Sequence, residues 1–262
     1  MQYISLASGS SGNCHYVFEK DTGILVDAGI ALKNIKESLQ SHDVDMQSIK
    51  AVLLTHEHTD HAKSAGAVSR KLDVPIFATQ GTFDAMESKL GKVKEHNIKV
   101  IGSQDEFDIG DLHIKSHKIS HDAKEPVAFR VFDADSSISF LTDLGIVKKD
   151  IMDFINKSNA VVLEANHDVN MLEAGPYPYE LKRRIKSQYG HISNDIAGKV
   201  SCELVKNGTT RIMLAHLSMQ NNMPVLAFQS VASILRKSNI QVGCDLELQV
   251  LEPFMPSEMI HV

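Results

Sequence analysis

The sequence predicts an α/β protein, two sheets packed face to face with helices outside, built as one domain over residues 1–262. Three observations lead there. Strand-like and helix-like runs alternate in both halves of the chain. Several strand candidates, "GILVDAG" and "AVVLEAN" among them, are unbroken apolar runs of the kind used by strands buried on both faces. No tandem repeat, low-complexity tract or Pro/Gly/Ser linker divides the chain.

Taken in order, Gln2–Ala7, His15–Glu19 and Gly23–Asp27 read as strands. Ala31–Gln40 carries Leu32, Ile35 and Leu39 at helical spacing. "IKAVLLTH" is a buried-type strand, and "HAKSAGAVSRKL" a helix with Asp60 as its N-cap. "VPIFAT" is a strand and Gly81–Leu90 a helix. Then come strands in "NIKVIG", "EFDIGDLHIKSHKIS", "VAFRVFDADSSISFLTD" and "AVVLEAN", with Asp-Ala-Asp-Ser-Ser marking a hairpin turn. Tyr179–Gln188 reads as a helix. "SNDIAGKVSCELVKNG" is another, N-capped by Ser193 and ended by Gly208. "RIMLAHLS", "PVLAFQSVASILRKS" and "LELQVLEP" close the pattern as strand, helix and strand.

Composition excludes several classes. With 43% hydrophobic and 23% charged residues the chain can build a substantial core. Its formal net charge of -6 argues against nucleic-acid binding by bulk electrostatics, so any polyanion site must be local. The three cysteines, Cys14, Cys202 and Cys244, form no CxxC and no disulfide framework, which fits a reducing compartment. No apolar run is long enough to cross a bilayer, and the N-terminus lacks the features of a signal peptide. A cytoplasmic protein without membrane partners is expected. The absence of Trp argues against large stacking platforms.

The chemistry concentrates in "LLTHEHTDHAKSAG", where His56, His58, Asp60 and His61 fall within six positions. Side chains two apart in an extended segment share a side, so His56 and His58 project together, and Asp60 with His61 aim at a neighbouring point. Two adjacent cations suit this pattern better than one. Further donors stand at strand ends: His121 at the end of "IKSHKIS", Asp143 ending "SISFLTD" and His216 ending "RIMLAH". The expected allotment is His56, His58 and His121 on one ion, Asp60, His61 and His216 on the other, and Asp143 between them. His113 and His117 share strand parity with His121 and compete with it for the third position. Glu164, Asn166 and His167, in "VVLEANHD", follow another buried strand and are expected close to the site.

THEHTDH matches the H-x-H-x-D-H signature of the metallo-β-lactamase superfamily, and His121, Asp143 and His216 match its later ligand motifs in order. The resemblance covers most of the chain. It implies the four-layer αβ/βα sandwich, with the site at the sheet edges and Asp27 of "ILVDAG" organising the metal loop rather than binding metal. Fold alone does not choose a substrate. Three local features favour phosphodiesters. "ASGSSGNCH" offers small residues and polar groups (Ser8, Ser10, Ser11, Asn13) to an anion, as phosphate loops do. "GHISND" sets His191, Ser193 and Asn194 at a helix N-terminus, where phosphate is favoured, and resembles the G-H-x-S element of nucleases in this superfamily. "LKRRIK" adds Lys182, Arg183, Arg184 and Lys186 as a local basic run.

Together SGSSGNC, THEHTDH, TDLG, LEANHD and GHISN resemble the YycJ/WalJ (VicX) family. That resemblance implies a 5′-to-3′ DNA exonuclease connected with repair or cell-wall regulation. It also implies two divalent ions, with manganese for activity; zinc and iron also suit the donors. The expected mechanism uses a hydroxide shared by the ions and oriented by Asp60, with His191, or alternatively His167, as the acid. No segment remains for a separate clamp domain, because a strand, two helices and their loops are expected to use the residues between Asp143 and His216. The competing readings are a small-molecule hydrolase (thioester, lactone or cyclic phosphodiester) and a non-catalytic regulatory protein.

Overall fold

A computed structural model describes all 262 residues, Met1 to Val262. Along the chain the elements are β1 (Gln2–Ala7), β2 (Cys14–Glu19), β3 (Thr22–Val26), α1 (Leu32–Gln40), β4 (Ile49–Leu53), α2 (Thr59–Ala62), α3 (Ala65–Leu72), β5 (Ile76–Thr79), α4 (Gln80–Leu90), β6 (Ile98–Ile101), β7 (Glu106–Ile109), β8 (Leu112–Lys118) and β9 (Val127–Phe132). They continue as β10 (Ser137–Leu141), α5 (Lys149–Ile155), β11 (Ala160–Glu164), α6 (Val169–Ala174), α7 (Tyr179–Ile185), α8 (Asn194–Lys206), β12 (Arg211–Ala215), α9 (Pro224–Lys237), β13 (Glu247–Val250) and β14 (Ile260–His261). The chain divides into two compact units. One comprises Met1–Lys118, Ala123–Asp135 and Glu252–Val262, the other Ile119–Asp122 and Ser136–Leu251. No helix is long and apolar enough to cross a membrane.

The first unit holds a seven-stranded sheet of order β14-β1-β2-β3-β4-β5-β6. Pairing is antiparallel from β14 to β3 and parallel from β3 to β6. β3 is buried throughout, as its Ile-Leu-Val run demands. α1 lays Ile35 and Leu39 on the core with Leu25, Val52, Leu54 and Ile76. β7, β8 and β9 form an antiparallel meander. The helix expected after the histidine motif is two pieces. The Ser64 amide donates to the Ala28 carbonyl at 2.8 Å instead of continuing the helical ladder, and Ser64 takes φ -110°, ψ 2°. Asp60 is not the cap either: His58 occupies the N-cap position and Asp60 lies in the first turn.

In the second unit β10, β11, β12 and β13 are all parallel. Leu141 pairs with Leu163, Leu163 with Leu214 and Glu164 with Ala215, so the carboxyl ends of three strands finish in register. Open α/β sheets present functional groups at that edge. Between Asp143 and His216 lie two strands, β11 and β12, and four helices, α5 to α8, rather than one strand and two helices. α5 and α6 span only 7 and 6 residues, too short for a periodic signal. β14 is shorter still, with 2 residues, and was likewise absent from the pattern.

Candidate metal centre

In the first unit the donors are fixed by the register of two parallel strands. Val26 pairs with Leu53, so Asp27 leaves β3 beside Thr55. Asp27 takes φ +62°, in the left-handed region. Its carboxylate accepts from the Thr55 amide at 2.9 Å and the Thr55 hydroxyl at 2.9–3.0 Å, and lies 2.7 Å from His61 Nδ1. Donation by His61 Nδ1 leaves Nε2 with its lone pair. Thr55 spends its single proton on Asp27, so toward His56 Nδ1, 3.0 Å away, it can only accept. His56 therefore also keeps Nε2 as the donor atom for a cation. The His56 ring lies 4.5 Å from that of His58 and 4.2 Å from that of His61, and His61 Nε2 is 3.5 Å from the Asp60 carboxylate. Neutral rings in fixed tautomers are the form in which histidine takes a divalent ion.

In the second unit Asp143 and His216 follow β10 and β12 with φ +56° and +55°. Glu164 ends β11 with no exposed surface. Its Oε1 accepts from His191 Nδ1 at 2.8 Å and His216 Nδ1 at 2.9 Å. Its Oε2 accepts from the Ile192 and Leu144 amides at 3.1 and 3.3 Å. Donor atoms of Asp143, Glu164, His191 and His216 lie within 4.8 Å of one another. The Nδ1 atoms in that group are already committed to Glu164, so the two rings have Nε2 to offer elsewhere. Asp143 Oδ1 stands 3.5 Å from His121 Nε2, and His121 Nδ1 lies 3.3 Å from the Gly190 carbonyl. His121 is in a loop three residues past the end of β8, not at the strand end itself. Its competitor His113 is engaged on the β7–β8 hairpin, 2.6 Å from Asp108.

The electrostatics separate two histidines. Burial alone would lower the pKa of His191, but the charge of Glu164 and its hydrogen bond, with Asp143 behind, raise it above the ordinary value. Burial pushes His167 down to about 4, and its Nδ1 is enclosed with no hydrogen-bond partner. Glu164 itself is held below the usual carboxylate range: burial opposes ionisation, and His191 and His216 outweigh it.

Several residues expected at the substrate are used otherwise. Asn13 is fully buried. It bonds the Gly9 amide at 3.0 Å, lies 3.0 Å from His61 Nε2, and its own amide donates to the Asp60 carbonyl at 2.7 Å, so it ties the serine loop to the motif. Ser8 is buried too, while Ser10 and Ser11 are exposed. Ser193 caps α8, and Asn194 is locked in a buried amide pair with Asn222 at 2.8–3.0 Å. The basic run is not a free cationic stripe. Arg183 pairs with Glu180, Arg184 with Asp122 and Lys186 with Glu173, and Lys182 donates to the Glu173 carbonyl. Asn166 donates to the His216 carbonyl at 3.0 Å. Sequence reading missed Asn222, which also donates to the Ala165 and Asn166 carbonyls at 2.8 and 3.2 Å. "QNNMP", which begins four residues after the candidate ligand His216, was the only signal it left.

A family model described as beta-lactamase superfamily domain matches residues 22–217. The chain is 36% identical over 262 residues, 100% of itself and 99% of the relative, to exodeoxyribonuclease YycJ of Bacillus anthracis. It is 36% identical over 256 residues, 96% of itself and 94% of the relative, to exodeoxyribonuclease WalJ of Streptococcus pneumoniae. The metallo-β-lactamase fold protein YhfI of Bacillus subtilis matches with a TM-score of 0.74 at 16% identity, over 98% of this chain and 100% of that one. By sequence along its whole length and by fold, this chain belongs to the metallo-β-lactamase superfamily of αβ/βα sandwiches and, within it, to the YycJ/WalJ family of metal-dependent hydrolases.

Proposed function

We propose that the chain is a two-metal phosphodiesterase acting in the cytoplasm as a 5′-to-3′ DNA exonuclease, through one catalytic domain without a separate clamp. The observation that carries this reading is the 36% identity, from end to end, to relatives named exodeoxyribonucleases. His56, His58 and His121 would hold one ion, Asp60, His61 and His216 the other, with Asp143 shared. Manganese is the proposed activating ion, and zinc and iron also suit imidazole and carboxylate donors. When bound, the ions acidify a water and offset charge on the phosphoryl oxygens.

The chain's own groups do the rest. Asp27 and Glu164 hold ring tautomers that would leave the Nε2 lone pairs of His61 and His216 for a cation. Asp60 orients the attacking water. His191, kept protonated toward neutrality by Glu164, donates to the leaving oxygen. His167, pushed to about 4, is neutral at working pH, which supports His191 as the acid. Exposed Ser10 and Ser11 meet the phosphate backbone. The ion-paired Arg183, Arg184 and Lys186 are available to it by exchanging carboxylate partners for phosphates, since exposed pairs are worth only about 0–1 kcal/mol each, and Lys182 by leaving the Glu173 carbonyl.

His191→Ala tests this assignment. The variant is expected to bind its metal as wild type does, by elemental analysis, and to lose about 100-fold or more in turnover on DNA. Unchanged turnover would remove His191 from the reaction.

A further inference from the structure

We propose that the Tyr189 ring is the stacking platform for the nucleobase adjoining the phosphate that His191 serves. The inference rests on the nuclease reading and adds to it a binding residue. The main chain around Tyr189 is tied down at every step. The carbonyls of Gln188, Tyr189 and Gly190 face three consecutive donors: Ser120 Oγ at 2.8 Å, the Asp122 amide at 3.1 Å and His121 Nδ1 at 3.3 Å. The Gly190 amide donates to the Ser187 carbonyl at 3.0 Å and the His191 amide to Ile185 at 2.9 Å. Gly145 presses on the same segment, where a Cβ would come within 2.3 Å of the Gln188 carbonyl carbon, and its amide donates to Ser120 at 3.0 Å. The segment from Ser187 to His191 is therefore zipped to the loop that carries His121.

On that fixed backbone Tyr189 is 51% exposed. The core does not use the ring, and with the backbone set only two side-chain torsions remain to be ordered on binding. A flat apolar face held two residues from the phosphate-serving histidine matches a base, the flat group that accompanies each phosphate of DNA. Base–aromatic stacking is tolerant of sequence, as a nuclease that must accept any base requires. The absence of Trp argues against large stacking platforms, and the proposal gives the role to the smaller ring of Tyr189.

The test compares metal-loaded wild type, Tyr189→Ala and Tyr189→Phe by initial rates on two oligonucleotides, one intact and one abasic at the nucleotide being released. On intact DNA, Tyr189→Ala is expected to raise KM about tenfold with kcat nearly unchanged, and Tyr189→Phe to match wild type. On the abasic strand the three enzymes should converge. An unchanged KM for Tyr189→Ala on intact DNA overturns the inference while the nuclease reading stands. So does an equal loss on both substrates, which would mark a structural role. Wild type that degrades neither strand overturns the nuclease reading, and this inference with it.

Discussion

Asp27 touches the motif through His61 Nδ1, at 2.7 Å, and through both donors of Thr55, so removing its charge should change how the motif binds metal. Asp27→Asn sets an amide against the imidazole and disfavours the tautomer that presents Nε2. Metal affinity is expected to fall about 10- to 100-fold with the far-ultraviolet dichroism unchanged, measured by competition with a chromogenic chelator. Affinity equal to wild type would reduce Asp27 to a strand-end polar residue. The candidate ligands stand out in the sequence because chemistry restricts such donors to a few residue types, here His and Asp at tight spacing. Their supports were not. Asn13, Asn194 and Asn222 look like loop residues in sequence, and only the fold reveals that all three are buried. Lys182, Arg184 and Lys186 read as part of a basic patch because their partners Asp122 and Glu173 stand outside the run, whereas the partner of Arg183, Glu180, is only three residues away.

At the scale of elements, the site depends on where strands stop. Asp27, Asp143 and His216 all turn out of their strands with positive φ, a conformation costing about 1–2 kcal/mol for a residue with a Cβ. Asp and His are enriched in that region, but they are also common elsewhere, so the residue type alone does not fix the conformation. The strands themselves were readable from their apolar runs, whereas α5, α6 and β14 are too short to show a period. Gly29 marks another contact invisible from sequence. A Cβ there would lie 1.7 Å from the Asp60 carbonyl oxygen and 2.9 Å from the Asn13 amide nitrogen, so the serine loop and the start of α2 close around a bare Cα. Gly29→Ala is expected to destabilise the fold by about 1–3 kcal/mol and to weaken metal binding together with it. A thermal midpoint and a chelator titration, both unchanged, would show that the backbone relaxes without cost.

For the whole molecule, the buried His167 couples stability to pH. Its ordinary pKa of 6.5 falls to about 4 in the fold, chiefly through burial. Between those values the unfolded chain binds the proton and the folded chain does not, so stability rises with pH across that window. It is full above about 6.5 and is lost by up to roughly 3 kcal/mol as pH falls toward 4. Urea unfolding of the metal-free protein at several pH values should show a slope in that window that His167→Gln flattens; an identical slope in the variant would assign it to other groups. The central claim concerns the reaction. The measurement that bears on it most directly is degradation of a duplex DNA labelled at its 5′ phosphate by purified wild type and Asp60→Ala, with Mn²⁺ and with chelator. Early release of labelled nucleotide by wild type alone, in Mn²⁺ and not in chelator, is the predicted result. Intact DNA after incubation with wild-type protein that holds its two ions would contradict the account and point to a small ester or cyclic phosphodiester as the substrate.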